Sequence, residues 1–411
     1  MNENGSPASR RTGTRSFLLS GVSGLSGVVL SSIAAIPLAG CDSTPDPVPA
    51  ETAWSPDVAD AEVPARGPMP FAESFSTGPK VPAESPSSAA DPAADPAAVA
   101  AADEVERDLR RLSGLATSGD FMPDVDRDGT FVAFASRQQR QDFDLYRRSL
   151  LGRDVAPLVT MPGDQIMPAI SPDGRFVAFA SDSDGNWNVF IAPVAGGTPV
   201  RITDGPRDEI HPTWSPDGGR LAFTRRGEGG TWEVWTADVS RPGEAKFLAD
   251  GFLPRWSPEA TGRNGRSTIL VQRASEGRSA RWGLWAIEVQ GSRFVEERPL
   301  VVARNAATIH PCWSPDAERI AFVTVVASGD VGDPSAAERS DLWTARADGT
   351  DRRLLTSGQA RNMQPAWLRG RGGDRILFVT DRGGVDAVWS LQAPDLAASD
   401  SRLADGETAA E

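Results

Sequence analysis

The chain has 411 residues, enough for one large domain or two ordinary ones, and its formal net charge is −14. Hydrophobic residues make up 39% and aromatic residues 7% of the sequence, a composition typical of a soluble protein body. Because an acidic protein repels the phosphate backbone, we expect no nucleic-acid partner. The two cysteines, Cys41 and Cys312, allow at most one disulfide.

Residues 1–40 predict a lipoprotein signal peptide. Three arginines near the start precede an apolar, uncharged stretch over 17–37, as in an export signal. The next residues, Leu38–Cys41 (LAGC), resemble the bacterial lipobox, in which cleavage precedes a cysteine whose thiol takes a diacylglycerol. This resemblance implies lipid on Cys41 and a protein tethered to a membrane, facing the periplasm or the exterior. An uncleaved membrane anchor is the alternative, and the export route and the choice of inner or outer membrane stay open.

Residues 41–103 are rich in proline and alanine, carry many acidic side chains and lack aliphatic clusters. Such a segment cannot bury a hydrophobic core, so we expect a disordered tether. The same reasoning predicts a disordered acidic tail over 392–411. Most of the negative charge lies in these two segments, which leaves the body between them close to neutral.

Between tether and tail, over 104–391, the sequence repeats one unit six times. Each unit contains four short β-rich segments, too short for helices, separated by Gly, Asp and Pro turns. Six prolines, 42 to 57 residues apart, mark the units: Pro123, Pro168, Pro212, Pro254, Pro311 and Pro365. This period predicts an all-β fold, a six-bladed β-propeller. Eight of the 12 tryptophans recur at two positions of the unit, where we expect them to pack one blade against the next.

The array contains only five fourth strands, so the ring needs one more to close. Residues 110–113 (RRLS) look like the missing strand, and we expect the segment 104–118 to complete the last blade. Such closure would leave no incomplete blade with an exposed edge. A short charged helix over 103–112 is the alternative.

The best copies of the unit are HPTWSPDGGRLAF at 211–223 and HPCWSPDAERIAF at 310–322. They resemble the TolB-type propeller repeat, and the resemblance extends over about 120–391. It implies a six-bladed propeller with a partner-binding role in the cell envelope. TolB proteins carry a folded α/β domain before the propeller, whereas this chain has the predicted tether there.

The residue before each repeat proline occupies one structural position, near the tunnel if the first strand is innermost. Its six occupants are Met122, Met167, His211, Leu253, His310 and Gln364. A zinc site needs three or four converging ligands, so two histidines predict structural or tunnel-lining roles and no metal. The stretch 124–129 (DVDRDG) matches the opening of a calcium loop, but Ala135 stands where the loop needs Glu, so we predict a turn.

The loops that enter the first strands and those between second and third strands should share one face of the ring. Variable loops on a rigid scaffold often carry binding residues, so we predict a binding face there. Its candidate residues are Asp164, Asp208, Glu209, His211, His310, Arg361 and Asn362. The sequence has no G-x-S-x-G elbow and too few histidines for a propeller lyase, so we predict no catalytic residue and no cofactor.

These observations lead to one favoured hypothesis and two alternatives. The favoured one is a non-catalytic, monomeric, lipid-anchored envelope protein whose propeller is a scaffold for a protein partner. The second is a carbohydrate or small-ligand sensor that uses the tunnel opening and the two histidines. A hydrolase or lyase is the least favoured.

Overall fold

The computed structural model describes residues 96–394, except 114–118, 153, 260–264, 275–281, 304–305, 326–338 and 371. The predicted signal peptide, Cys41, the tether up to residue 95 and the tail from residue 395 lie outside this part. The described residues form six four-stranded antiparallel sheets, one for each repeat. The prediction of an all-β, six-bladed propeller is confirmed.

The described chain opens with the helix α1 (Pro96–Glu106) and the strand β1 (Arg110–Arg111). Blade 1 comprises β2 (Asp120–Val125), β3 (Phe131–Ser136), β4 (Asp144–Ser149) and β5 (Val155–Val159). Blade 2 comprises β6 (Gln165–Ile170), β7 (Phe176–Ser181), β8 (Asn188–Pro193) and β9 (Val200–Arg201). Blade 3 comprises β10 (Glu209–Trp214), β11 (Arg220–Arg226), β12 (Trp232–Asp238) and β13 (Ala245–Asp250), with a 3-10 turn at Glu228–Gly230.

The remaining blades follow the same order. Blade 4 comprises β14 (Phe252–Trp256), β15 (Arg266–Ala274), β16 (Trp282–Gln290) and β17 (Arg293–Val301). Blade 5 comprises β18 (Ala307–Trp313), β19 (Arg319–Val325), β20 (Asp341–Arg346) and β21 (Arg353–Leu354). Blade 6 comprises β22 (Asn362–Leu368), β23 (Arg375–Thr380), β24 (Ala387–Gln392) and, as its outer strand, β1.

The first strand of every blade lies innermost. Each first strand contacts the first strand of the next blade, and β22 contacts β2, so these six strands surround a central axis. The second strands are almost fully buried, because residues such as Ala222 and Phe223 pack against neighbouring blades on both faces. Among the described residues, no helix is both long enough and apolar enough to span a bilayer.

The Ser-Pro-Asp-Gly motif forms the turn between the first and second strands. Ser215 Oγ donates to the Asp217 carboxylate and accepts the backbone N–H of Arg220 at 3.0 Å. Gly218 has φ 69°, the left-handed conformation in which glycine meets no Cβ clash. The repeat is therefore a self-contained hydrogen-bonded turn, which explains why it recurs in the sequence.

Tryptophans of the repeat join neighbouring blades. Trp214 Nε1 of blade 3 donates to the Ala169 carbonyl of blade 2 at 2.9 Å. Trp313 Nε1 of blade 5 donates to the Arg255 carbonyl of blade 4 at 2.9 Å. The large rings thus supply apolar area between blades while their N–H groups are satisfied.

The two ends of the described chain meet in blade 6. In β1, Arg110 pairs with Ser390 and Arg111 pairs with Trp389 of β24. Asp108 also forms an ion pair with Arg375 at the start of β23. The outer strand of the last blade therefore comes from the N-terminal side of the array.

Helix α1 packs along blades 5 and 6 and begins at Pro96, inside the segment for which the sequence predicts a disordered tether. Ala102 is fully buried against blade 5 residues that include Leu354. Glu106 accepts the backbone N–H of Ser357 at 3.1 Å and pairs with Arg382. Composition alone misses this helix because its alanines gain stability from tertiary burial. The helix and β1 together are called the strap below (residues 96–113).

Candidate functional site

Six residues with left-handed backbone surround the central axis. In every blade the pairing of first and second strands shifts register around the repeat proline, as between Ile210 and Thr213. The residue before the proline adopts a φ between 51° and 56° in all six blades. Non-glycine residues in this conformation cost on the order of 1–3 kcal/mol each, so the surrounding structure must hold them there. These axial residues, called the ring below, are Met122, Met167, His211, Leu253, His310 and Gln364.

Neighbouring blades hold the ring in place through its backbone N–H groups. Met122 N–H donates to Gln364 Oε1 at 2.8 Å, and Met167 N–H donates to Met122 Sδ at 3.2 Å. His211 N–H donates in turn to Met167 Sδ at 3.3 Å. The bulges would otherwise leave these donors unpaired in the interior, at a cost of about 1–3 kcal/mol each. Each of these ring residues therefore depends on the blade beside it.

The ring and Arg255 enclose a chamber of about 20 Å³, enough for one water molecule. His211 and His310 are each only 6% exposed, and the Nδ1 atom of each lacks a hydrogen-bond partner within the described chain. Burial, and secondarily the charge of Arg255, lowers the pKa of His310 to about 3. The same two causes, with a smaller effect of His310, hold the pKa of His211 well below its usual value. Both imidazoles are therefore neutral at physiological pH.

A larger cavity of about 170 Å³, called the funnel below, opens on the face that carries the Ser-Pro turns. Its wall combines prolines of these turns with the repeat tryptophans Trp214, Trp256, Trp313 and Trp367. Arg255 lines both the funnel and the chamber, so this residue lies between the two cavities. Cys312 also lines the funnel, and burial raises the pKa of its thiol to about 12, so it stays a neutral thiol.

Of the four charged side chains that line the funnel, Asp126 binds its own turn and Arg127 forms an ion pair, which leaves Asp124 and Arg255. Asp124 Oδ2 accepts the backbone N–H of Ile170 at 2.7 Å, and burial raises the pKa of this carboxyl to about 6. The Nε atom of Arg255 is buried without a hydrogen-bond partner among the described residues. No ion pair in the described part of the chain joins Asp124 to Arg255. The positive charge of Arg255 nevertheless lowers the pKa of the Asp124 carboxyl and partly offsets the effect of burial. The funnel therefore presents an acid and a base that interact without forming an ion pair.

A sequence signal for both residues exists. Asp124 and Arg255 each follow the repeat proline, and the other four blades have small residues at this position. A charged side chain at an inward-facing position that is otherwise occupied by small residues indicates a possible site. Asp124 and Arg255 are not among the candidates predicted above, which are histidines and loop residues. The four small occupants are Ala169, Thr213, Cys312 and Ala366.

The candidate binding-face residues lie in two environments. His211 and His310 belong to the ring, whereas the other five join loops of the scaffold. Asp164 Oδ1 accepts the backbone N–H of Phe143 at 2.7 Å, and Asp208 Oδ1 accepts that of Trp187 at 3.3 Å. Asn362 is fully buried and donates to the Ser340 carbonyl, and Nη2 of Arg361 contacts both carboxylate oxygens of Asp386 at 2.7 Å. Glu209 is fully buried and pairs with Arg225. These contacts leave little of the five side chains for a ligand.

Glu209 provides a test of a structural role. Arg225 stacks over Trp235 at 3.9 Å while its Nε donates to Glu209 Oε1 at 2.6 Å. Because Glu209→Gln leaves the guanidinium without its counter-charge, we expect a loss of about 3–5 kcal/mol in the free energy of unfolding. Urea titration measures it. The matched control is Glu228→Gln. The ion pair of Glu228 with Arg207 is exposed, so this substitution should lower the free energy of unfolding by less than about 1 kcal/mol. Equal small effects for both variants would contradict a structural role for Glu209.

The described residues bring no three His, Cys, Asp or Glu side chains together as metal ligands. Asp126, in the turn compared above with a calcium loop, accepts the backbone N–H groups of Thr130 and Phe131, both at 2.7 Å. Its carboxylate thus serves the turn, as the serines do in other blades.

Comparisons with known proteins agree with this architecture. Residues 116–277 match the family model of the TolB beta propeller domain. The Tol-Pal system protein TolB of Anaeromyxobacter dehalogenans strain 2CP-C is 35% identical over 146 residues, which cover 35% of this chain. The match spans 28% of that relative's length.

Two solved structures are similar to this chain, and the first of them shares the fold. A putative TolB from Agrobacterium tumefaciens has 19% identity and a TM-score of 0.50, covering 70% of this chain and 97% of that one. TolB from Acinetobacter baumannii has 18% identity and a TM-score of 0.48, covering 61% and 57% of the respective chains. The chain is a six-bladed β-propeller protein, and residues 116–277 within it are similar to the TolB beta propeller domain.

Proposed function

We propose that this protein is a non-catalytic, lipid-anchored component of the cell envelope whose propeller binds a protein partner. The observation that carries the proposal is the TolB-like propeller, since the matched relative is named a Tol-Pal system protein. The lipobox-like stretch ending at Cys41 supports the anchor. Both the partner and the anchor are open to separate tests.

The funnel face is the surface that we assign to the partner. Two grooves, of about 430 and 560 Å³, adjoin the funnel and share lining residues with it. Pro216 contributes to all three recesses, Trp256 links the funnel to one groove, and Trp214 links it to the other. A recess with buried aromatic walls and a polar margin is the usual form of an interface that takes anchor side chains.

Photo-crosslinking from two arginine positions tests this assignment. Arg127 lines the funnel and Arg137 lies on the opposite face, and both side chains are 43% exposed. We expect a photoreactive residue at position 127 to yield discrete protein adducts in intact cells, and one at position 137 to yield none. Adducts from position 137 alone would place the partner on the other face. Absence of adducts from both positions would contradict a protein-binding scaffold.

Lipid anchoring predicts that Cys41→Ala releases the protein from membranes. Without the thiol no diacylglycerol can attach, and several acyl chains otherwise hold a protein firmly because each buried CH2 contributes about 0.8 kcal/mol. Fractionation and labelling with a fatty acid measure the change. Cys312→Ala is the control, because that cysteine is buried in the propeller and should leave both readouts unchanged. Membrane association that persists in Cys41→Ala would contradict the lipid anchor.

A further inference from the structure

We propose that the floor of the funnel binds the carboxylate of a small zwitterionic ligand, with Arg255 as its anion-binding group and Asp124 as the acceptor for its ammonium group. The proposal does not depend on the envelope role or on a protein partner. It concerns the interior of the funnel, whereas the partner would cover the face around it.

The first argument is the state of the Arg255 side chain. A guanidinium has five N–H donors in a rigid fork that matches a carboxylate. The Nε atom of Arg255 is buried and has no acceptor among the described residues. The backbone of Arg255 is held by strand pairing with Leu270 and by a hydrogen bond from the Trp313 indole to its carbonyl. A buried donor without a protein partner calls for an explanation, and a bound ion or ligand is one such explanation.

The second argument is that no residue behind Arg255 can neutralise it. His211 and His310, which line the chamber together with Arg255, are neutral, and the Nδ1 atom of each lacks a partner among the described residues. The remaining ring side chains are uncharged. Any counter-charge for Arg255 therefore lies on the funnel side, where Asp124 interacts with it without an ion pair and the cavity of about 170 Å³ can admit a ligand of several non-hydrogen atoms.

The third argument is the position of Asp124. The residue lines the same cavity, and its carboxylate accepts the backbone N–H of Ile170. It is close enough for the charge of Arg255 to act on it, although the two form no ion pair. A cavity with separate positive and negative groups complements a ligand that carries both charges, since a simple anion would be repelled by the aspartate. Free amino acids and the ends of short peptides share this chemistry.

The experiment measures binding of four probes to the full-length protein by ¹⁵N–¹H NMR of arginine Nε–H signals. The probes are glycine, triglycine, triglycine amide and N-acetyl-triglycine. We expect triglycine or glycine to shift the Arg255 signal, with affinity at least about tenfold above that of triglycine amide, a difference of about 1.4 kcal/mol. Glycine binding alone indicates a free amino acid, and triglycine binding a peptide end.

Variants test which residue binds each charged group of the ligand. Arg255→Gln should abolish the preference for the free carboxylate, and Arg255→Lys should retain part of it because the charge remains but the fork is lost. Asp124→Asn should remove the preference for triglycine over N-acetyl-triglycine only. The matched control is Arg220→Gln, an arginine of the adjoining groove that pairs with Asp217 outside the funnel.

Three results would overturn the proposal. The first is equal affinity of the wild-type protein for triglycine and its amide. The second is an unchanged preference in Arg255→Gln, with thermal melting showing that this variant is folded. The third is no signal shift with any probe at about 50 mM, above the millimolar range in which single charge-assisted contacts are measurable.

Discussion

Deletion of the strap, residues 96–113, is expected to lower the midpoint of thermal unfolding by about 10 °C or more. The strap supplies the outer strand of blade 6, and its loss exposes the edge of β24. It also leaves Arg375 and Arg382 without Asp108 and Glu106. A combined loss of about 5 kcal/mol corresponds to this shift in a propeller-sized domain. Differential scanning calorimetry of the full-length protein and the deletion variant measures it.

An equally long deletion in the predicted tether, 62–79, is the control and should leave the midpoint unchanged. A pair of point variants separates the helix from the strand. Ala102→Glu places a charge in a fully buried position of α1, whereas Ala101→Glu places the same charge at an exposed neighbour. We expect only the first to destabilise. If the strap deletion shifts the midpoint by no more than about a degree, ring closure does not limit stability.

Acidification is expected to destabilise the propeller through the two ring histidines. Burial holds the pKa of His310 at about 3, whereas the unfolded chain has the ordinary value near 6.5. The neutral histidine therefore contributes stability that is complete above pH 6.5 and is lost as the pH falls toward 3. By linkage the loss reaches about 5 kcal/mol for His310 alone, and His211 adds to it in the same direction.

The double variant His211→Met/His310→Met isolates this effect. Methionine occupies the same left-handed position in blades 1 and 2, at Met122 and Met167. We expect urea titrations at pH 7 and pH 4.5 to show a smaller acid-induced loss in the variant than in the wild type, by several kcal/mol. An equal loss in both proteins would show that the histidines are not the acid-sensitive groups.

Asp124 provides a control, because its effect on the pH dependence of stability has the opposite sign to that of the histidines. Burial raises the pKa of its carboxyl to about 6, above the unfolded value of 3.8. Its contribution to stability is therefore present below pH 3.8 and is lost as the pH rises through 6. Asp124→Asn removes this compensation, so its acid-induced loss between pH 7 and pH 4.5 should be steeper than that of the wild type.

Periodicity predicts the blades well because contacts within each repeat determine its local structure. Ser215, Asp217 and Gly218 form a turn from contacts within the motif, and Trp214 reaches the next blade from a recurring position. The same local logic identifies residues 110–113 as strand-like. This local reasoning does not predict helix α1, because Ala102 stabilises the helix only when it is buried against blade 5.

The site is harder to predict than the fold. Acidic loop residues suggest the face opposite the funnel, but a sequence does not reveal that Asp164 accepts an N–H from Phe143 or that Glu209 pairs with Arg225. Conversely, Arg255 escapes notice because a single arginine in a strand resembles a surface residue. Its significance depends on the inward direction of the first strand, which only the assembled ring reveals.

The ring of left-handed residues concentrates the polarity of this protein's centre in six side chains. Each of the six blades delivers one side chain to the same small volume, and the proline after it fixes the backbone locally. Substitutions at these six positions would change the chemistry of a single chamber without touching the outer surface. Variants that keep an acceptor side chain at Met122, Met167 and Gln364 would therefore alter the polarity of the chamber while the blades stay unchanged.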